Sequence, residues 1–230
     1  MKITTEQIKR TLDVALLKPT ATAAEIEGLA RVLREEAFRF MCVNSFHAGV
    51  AARALTGSDV VVVACIGFPQ GAVTTNAKVF ETAGAIADGA GEIDMVLNLG
   101  AFLGGDTKYA EADIRAVVRA GEGRPVKVII ETPFLTPRHK IEASKLVQGS
   151  GAAFVKTCTG TSPDPIALYE DVRLIRQAVG PTMGIKASGR IGSYFRYAAL
   201  LEAGANRFGL VLEQAREILR GLEEEPEGTV

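Results

Sequence analysis

The sequence predicts an α/β protein folded as a (β/α)8 barrel of the TIM type. Eight short runs rich in strand-forming residues alternate with longer helical patterns, at a mean spacing of about 28 residues, close to the length of one βα unit. The chain has 230 residues, 47% of them hydrophobic, which matches a single barrel domain of roughly 200–250 residues. We therefore expect residues 1–230 to form one domain.

The eight predicted strands are short and mostly apolar, as expected of parallel strands that are buried on both faces. An open, doubly wound sheet would use the same elements and remains an alternative. The strand count of eight and the regular spacing favour the closed barrel. The predicted strands are Asp13–Leu17, Met41–Asn44, Val60–Gly67, Glu92–Leu97, Val126–Glu131, Phe154–Thr159, Gly184–Ser188 and Arg207–Val211.

The segments between the strands contain helix signals. Thr22 and Glu25 form a capping box that is followed by apolar residues at helical spacing. Similar apolar faces extend over residues 166–179 and 194–203. Glycine supplies the left-handed turn that ends a helix. Three glycine–alanine pairs lie shortly before a predicted strand and are therefore predicted to end the preceding helices: Gly89-Ala90, Gly151-Ala152 and Gly204-Ala205.

Composition excludes several classes of partner. The net charge of −1 gives no basis for binding nucleic acid. The longest apolar run, Val60 to Phe68, is nine residues, whereas a membrane helix needs about 20. The three cysteines show no pairing pattern, and the polar first residues lack the apolar core of a signal peptide. Both observations favour a reduced, cytoplasmic setting. The acidic tail, about 223–230, is predicted to be disordered. The sequence does not decide whether the protein forms a homo-oligomer.

Three strands contain charged residues inside apolar runs, namely Asp94, Lys156 and Lys186. Ionisable groups are costly to bury unless they are paired, so such strands either form an ion pair or use the charges chemically. Barrels place their chemistry at the carboxyl ends of strands. Lys127, early in its strand, is interpreted as a structural or supporting charge.

Lys156 and Lys186 lie on consecutive strands, which in a parallel sheet are about 4.8 Å apart. Two ammonium groups at that distance disfavour each other, so we expect one lysine to have a lowered pKa and to be partly a free amine. A free amine can attack a carbonyl to form an imine, and Asp94 could relay protons. A buried Lys–Asp–Lys cluster with a purely structural role is the alternative.

Several strings resemble the deoxyribose-phosphate aldolase family: LLKPTAT, CVN, IGFPQGAVTTNAKVFE, EIDMVLNLGA, VKVIIET, FVKTCTG and GIKASG, in that order over about residues 12–207. The resemblance implies a class I aldolase on a TIM barrel that needs no metal. It implies interconversion of 2-deoxy-D-ribose 5-phosphate with D-glyceraldehyde 3-phosphate and acetaldehyde. By the same resemblance Lys156 forms the Schiff base, Lys186 is its partner lysine, and Asp94 transfers protons.

The resemblance also implies substrate-binding residues. Asp13 matches a polar site residue, Cys42 matches a cysteine that faces the pocket, and Thr159 and Gly160 match the loop that lies against the sugar and its phosphate. For Cys42, simple packing is an equally good interpretation. The remaining expected binding residues lie in or directly after strands seven and eight, the region where barrels hold phosphate: Ser188, Gly189, Arg190 and Gly209.

The sequence departs from the family pattern at the phosphate end. The last strand continues as Leu210 to Glu213, without hydroxyl groups and with a carboxylate that would repel phosphate unless it points away. Arg190 could replace lost contacts through a bidentate grip, although a solvated charge is the alternative. Three functions are therefore considered: the family's own reaction, an aldolase for a non-phosphorylated or more apolar aldehyde, and a barrel that binds a ligand without turnover.

The sequence predicts no metal and no cofactor. His47 and His139 lie in predicted helical stretches, far from a second histidine. No phosphate-cradling Gly-x-Gly-x-x-Gly follows a first strand, so a dinucleotide is unsupported. The expected partner is a small sugar phosphate or aldehyde.

Overall fold

A computed structural model describes residues 3–224, which form a closed barrel of eight parallel strands paired in sequence order, with β8 returning to β1. The (β/α)8 prediction is thus confirmed and the open sheet is excluded. The strands are β1 (Leu12–Leu16), β2 (Phe40–Asn44), β3 (Val61–Ile66), β4 (Glu92–Val96), β5 (Val126–Ile129), β6 (Phe154–Lys156), β7 (Gly184–Ser188) and β8 (Arg207–Leu210).

Helices connect the strands around the outside of the barrel. Two short 3₁₀ turns, Ser45–His47 and Thr132–Phe134, follow β2 and β5. The α-helices are α1 (Thr5–Lys9), α2 (Ala23–Glu35), α3 (Ala48–Ala54), α4 (Thr75–Ala87), α5 (Leu99–Leu103), α6 (Thr107–Ala120), α7 (Pro137–Gly149), α8 (Tyr169–Val179), α9 (Tyr194–Glu202) and α10 (Leu212–Glu223).

The local signals act as predicted at most element ends. Thr22 and Glu25 form a reciprocal capping box at the start of α2. The three glycines that were predicted to end helices have positive φ angles between 82° and 110°. Because α10 extends to Glu223, the predicted disorder is wrong for that residue, and residues 225–230 lie outside the described chain.

Three predicted boundaries are wrong by two residues or more, and one of them is the strand predicted over Phe154–Thr159, which ends at Lys156. The helix predicted from residue 166 begins at Tyr169, because the Ala167 N–H bonds to the carbonyl of Gly189 after β7 and Leu168 has an extended backbone. The strand predicted to reach Glu131 ends at Ile129, and Glu131 itself has a left-handed φ of 53°.

The apolar side chains divide into two cores. The larger core lies between the strands and the helices and includes Val14, Met41 and Phe208. A small second cluster lies inside the barrel along β2 and β3, and its buried members are Phe40, Cys42, Val63 and Cys65. The barrel interior has an ionic side as well, formed by buried charged residues of the strands: Asp13, Glu92, Asp94, Lys127, Lys156, Lys186 and Arg207.

Aromatic rings and a guanidinium close the amino end of the barrel. The Arg207 guanidinium carbon lies 3.4 Å from the centroid of the Phe40 ring and 5.6 Å from that of Phe154. Both Arg207 and its partner Glu92 are buried. A Cβ atom at Gly184 would lie 2.3 Å from the Phe154 ring, so glycine is required there for the ring to fit. The barrel therefore opens to solvent at its carboxyl end.

Within residues 3–224, no helix combines the length and the apolar character that a membrane crossing requires.

A second buried ion pair joins two helices to the strand that contains Asp94. Lys78 of α4 bonds to Asp113 of α6, and both side chains are fully buried. The Lys78 ammonium also donates to the carbonyl of Val96, at the end of β4, over 2.9 Å. This pair therefore anchors the end of β4 from outside the barrel.

We predict that Lys78→Met destabilises the fold by about 3–5 kcal/mol, because it leaves the Asp113 carboxylate buried without its cation. Denaturant unfolding followed by circular dichroism measures this change. The double variant Lys78→Met/Asp113→Leu should recover stability relative to Lys78→Met alone. Lys108→Met, on the exposed surface of α6, is the control and should change stability by less than about 0.5 kcal/mol. If Lys78→Met and Lys108→Met lowered the stability by the same small amount, the anchoring role of the Lys78–Asp113 pair would be contradicted.

Candidate active site

One buried carboxylate binds three lysines at the centre of the barrel. Asp94 points inward from β4, and its Oδ2 accepts hydrogen bonds from Lys156 and Lys186, each over 2.7 Å. Its Oδ1 accepts one from Lys127 over 2.9 Å. Lys156 and Lys186 are direct neighbours in the ladder between β6 and β7. The three residues predicted to be catalytic are therefore in direct contact.

A second carboxylate lies beside this group. Asp13 of β1 bonds to Lys186 and accepts a 2.8 Å hydrogen bond from Arg207. Lys127 lies 3.9 Å from Asp13 and 2.7 Å from Glu92. Because Lys127 contacts these carboxylates and does not line the cavity described below, it has the supporting position that was predicted for it.

The electrostatics of Lys156 differ from the sequence-based expectation. Burial is the largest influence and lowers the pKa of the Lys156 ammonium, and Lys186 lowers it too. The Asp94 carboxylate, together with the neighbouring Cys65 and Cys42, raises it enough that the net shift is upward. Burial also lowers the pKa of Lys186. The carboxylates of Asp13 and Asp94 together outweigh burial, so the pKa of Lys186 lies well above its usual range. Lys186 thus lowers the Lys156 pKa as expected, but the expected net lowering is wrong, because one oxygen of Asp94 accepts hydrogen bonds from both ammonium groups.

A cavity of about 500 Å³ lies above these lysines, at the carboxyl ends of the strands. Its volume is typical of a small-molecule site. Lys156 and Lys186 lie at its inner end, and all eight residues predicted to bind substrate line it: Asp13, Cys42, Thr159, Gly160, Ser188, Gly189, Arg190 and Gly209. The sequence thus predicted where the cavity forms.

Two of these glycines are required by close approach. A Cβ atom at Gly209 would lie 3.1 Å from the Cε of Lys186 and 2.9 Å from the hydroxyl of Ser188. Gly189 has a φ of +112°, and a Cβ there would lie 2.3 Å from the carbonyl oxygen of Pro165. Glycine at these two positions makes room for the lysine stem and for the loop that follows β6.

Glu131 supports the loop after Lys156, a role that the sequence analysis missed. Its carboxylate accepts hydrogen bonds from the backbone N–H of Thr159, at 3.1 and 3.2 Å. Burial raises the pKa of Glu131. The sequence did place Glu131 at the end of a predicted strand, where site residues are expected. The sequence did not predict its left-handed backbone, which turns the side chain toward the loop.

The mouth of the cavity contains further polar groups. Lys18 and Gln214 line it, and neither was predicted to bind substrate. Lys18 lies in the LLKPTAT string, whereas Gln214 had no sequence signal. Glu213, which was expected to repel a phosphate, is exposed and does not line the cavity. The Arg190 side chain is 60% exposed and lies 3.7 Å from Asp164, so its guanidinium remains accessible from the cavity.

One of the three cysteines lines the cavity, whereas neither histidine does. Cys42 lines the cavity, as predicted, and all three cysteines are free and buried. His47 is in the 3₁₀ turn after β2 and His139 is in α7, so neither lines the cavity. The barrel does bring Cys42 close to Cys65, a contact that the sequence did not predict.

Comparison with known proteins agrees with this architecture. No protein-family profile matches the chain. The deoxyribose-phosphate aldolase of Streptococcus gordonii is 48% identical over 203 residues, which cover 88% of this chain and 92% of that protein. The enzyme of Macrococcus caseolyticus is 47% identical over 212 residues, covering 92% and 95%.

Solved structures give the same result. The deoxyribose phosphate aldolase of Aeropyrum pernix, described as a unique tetramer, superimposes with a TM-score of 0.85 at 26% identity. The superposition covers 97% of this chain and 94% of that one.

The fold, the lysine-lined cavity and these relatives define an aldolase, an aldehyde-lyase on a (β/α)8 barrel. More narrowly, the chain belongs to the deoxyribose-phosphate aldolase family. The alternative of a barrel that binds without turnover is therefore set aside.

The upward shift of the Lys156 pKa predicts how amine reactivity depends on pH. An amine with a raised pKa is mostly protonated at neutrality, and its nucleophilic fraction grows about tenfold per pH unit until the pKa is reached. Imine formation with acetaldehyde, stopped by borohydride at a fixed quench pH and quantified by mass, should therefore accelerate steadily from pH 7 to 9. A rate that is already constant above pH 7 would show instead that the amine is free at neutrality.

Proposed function

We propose that the protein reversibly cleaves 2-deoxy-D-ribose 5-phosphate to D-glyceraldehyde 3-phosphate and acetaldehyde through an imine on Lys156. The observation that supports this most directly is the contact of Lys156 with Asp94 at the inner end of a cavity of suitable size. The names of the curated relatives support the substrate.

The reaction begins with a proton leaving the Lys156 ammonium. The free amine then adds to the C1 aldehyde of the open-chain sugar, and loss of water gives an iminium ion. Removal of the C3 hydroxyl proton breaks the C2–C3 bond, and the electron pair flows into the iminium to form an enamine. Protonation of the enamine at C2 and hydrolysis release acetaldehyde and restore the lysine.

The proton transfers are assigned to the groups around Lys156. Asp94 accepts hydrogen bonds from both Lys156 and Lys186, so a proton can pass among the three groups and a water molecule in the cavity. Positioned acid–base groups of this kind typically contribute 10²–10⁴-fold to a rate. Asp13 and Lys127 form ion pairs with members of this group. Lys127 does not line the cavity and is assigned no contact with the substrate, whereas Asp13 lines it and keeps its predicted substrate-binding role.

The phosphate is assigned to the mouth of the cavity. The first turn of α10 begins beside the cavity, and barrels commonly hold phosphate at loops and helix starts after strands seven and eight. Lys18 and Arg190 are the cations that line this region. Arg190 can exchange its loose contact with Asp164 for a bidentate contact with phosphate.

A second candidate function is an aldolase for a non-phosphorylated or more apolar aldehyde. The observation that favours it is the apolar lining near the mouth, where Ala15, Leu17, Leu210 and Val211 face the cavity. The lysine chemistry would be the same in both cases. The two candidate functions therefore differ in how much the phosphate of the substrate contributes to kcat/KM.

The imine proposal predicts a single reduced adduct. Incubation with 2-deoxyribose 5-phosphate followed by borohydride should add one reduced substrate or acetaldehyde unit to Lys156, located by peptide mass spectrometry. Lys156→Leu should lose the adduct and at least about 10⁴-fold of the cleavage rate, because no other group forms the electron sink. Lys145→Leu, a lysine of α7 outside the cavity lining, is the matched control. An adduct on Lys186 in the wild-type protein would refute the assignment of the nucleophile.

The phosphate assignment predicts a selective effect at Arg190. Arg190→Ala should reduce kcat/KM for 2-deoxyribose 5-phosphate by roughly 10-fold to 100-fold while leaving that for 2-deoxyribose nearly unchanged, since a charge-assisted contact contributes about 1.5–3 kcal/mol. Arg190→Lys should retain part of the effect. Arg31→Ala, on the exposed face of α2, is the control. Equal kcat/KM values for the two sugars in the wild-type protein would favour the second candidate function.

A further inference from the structure

Two thiols and a carboxylate meet where β2, β3 and β4 adjoin inside the barrel. The Sγ atoms of Cys42 and Cys65 are 3.6 Å apart. One donor atom from each of Cys42, Cys65 and Asp94 lies within 4.8 Å of the other two, and all three residues are buried. Cys65 is the ladder neighbour of Asp94. The proposed aldol chemistry uses neither thiol.

The separation of the thiols matches a bound zinc ion. With Zn–S bonds of about 2.3 Å and a tetrahedral angle, two sulfur ligands lie about 3.8 Å apart. The observed 3.6 Å therefore needs almost no movement of Cys42 or Cys65. The Asp94 oxygen must approach by about 1 Å to complete a Zn–O bond of roughly 2.0–2.2 Å, and the fourth position is left for a water molecule from the cavity.

The buried charge stays the same when this ligand binds through two thiolates. The buried group of ionised side chains contains three carboxylates (Asp13, Glu92, Asp94) and four cations (Lys127, Lys156, Lys186, Arg207). Binding of Zn²⁺ to two thiols releases two protons to solvent and forms a dithiolate complex, so the buried charge does not change. Thiolate ligands select zinc and cadmium over magnesium and calcium.

A path from solvent to the thiols exists through the cavity. Cys42 lines the cavity together with Lys156 and Lys186, whereas Cys65 lies behind it. An ion that enters the cavity therefore meets Cys42 first. Binding would take an Asp94 oxygen that otherwise accepts hydrogen bonds from the lysines.

We propose that Cys42, Cys65 and Asp94 form an inhibitory site for one thiophilic divalent cation, zinc or cadmium, within the candidate active site. The ion is an inhibitor and takes no part in the aldol reaction. The loss of activity rests on the proposed function, whereas the binding itself does not, so the two are measured separately.

Binding is tested with the full chain, reduced with a phosphine and freed of metal. Titration with ZnCl2 by calorimetry should show one equivalent bound, and zinc X-ray absorption should show two sulfur ligands at about 2.3 Å. CdCl2 should produce the ultraviolet charge-transfer band of a cadmium thiolate. Cys65→Val should weaken zinc binding roughly 100-fold or more and abolish the band, since it removes one ligand. Cys158→Ala, which removes the third cysteine, should retain both.

Activity is tested in the same preparations. Cleavage by the wild-type protein should fall at least tenfold at one bound equivalent of zinc and return after EDTA, while Cys65→Val should resist the same zinc concentration. A first coordination shell of nitrogen and oxygen only, or unchanged zinc affinity in Cys65→Val, would overturn the site. Because the absorption measurement uses the wild-type protein, the proposal stays testable even if Cys65→Val fails to fold. Zinc bound through two sulfurs without loss of activity would overturn the inhibitory role alone.

Discussion

The organisation of the barrel interior depends on the ionised carboxylate of Asp94. Three lysine ammonium groups are buried around it, and burial of such charges without an anion would cost several kcal/mol each. Burial raises the pKa of Asp94, but Lys127, Lys156 and Lys186 outweigh it and hold that pKa well below its usual range. The carboxylate therefore stays charged, and the three lysines, which belong to three different strands, are held within reach of one point.

Under the proposed imine chemistry, the contact that places Lys156 also opposes its reaction. The ammonium group is stabilised by Asp94, so the proton must leave before the nitrogen can attack a carbonyl. Lys186 acts in the other direction, because its charge disfavours a second proton nearby. Under this proposal the protonated lysine is a stable resting state, and the nucleophile forms only when the proton leaves. This is a common compromise between stability and activity.

The sequence contained enough to predict the barrel and the inner end of the cavity, because periodic strands and charges inside apolar runs are local signals. Lys156, Lys186 and Asp94 were recognisable for that reason, and the ladder of adjacent strands brings them together. The sign of the Lys156 pKa shift was not predictable, since it depends on which oxygen lies between the two ammonium groups.

Other features depend on contacts that no local pattern encodes. Gln214 reaches the cavity through the orientation of α10, and Glu131 reaches the Thr159 amide through a left-handed backbone angle. The pairing of Cys42 with Cys65 requires two strands to adjoin at a particular register. These positions are fixed by the packing of distant segments, which a reading of one segment at a time does not reveal.

The closed amino end of the barrel has a kinetic consequence. Because Arg207 is packed between the rings of Phe40 and Phe154, molecules enter and leave at the opposite end alone. Under the proposed chemistry the two-carbon fragment stays attached at the bottom of this blind passage, with the three-carbon fragment above it. The larger fragment must depart first, so cleavage follows an ordered release, and synthesis requires that the smaller aldehyde load before the larger one.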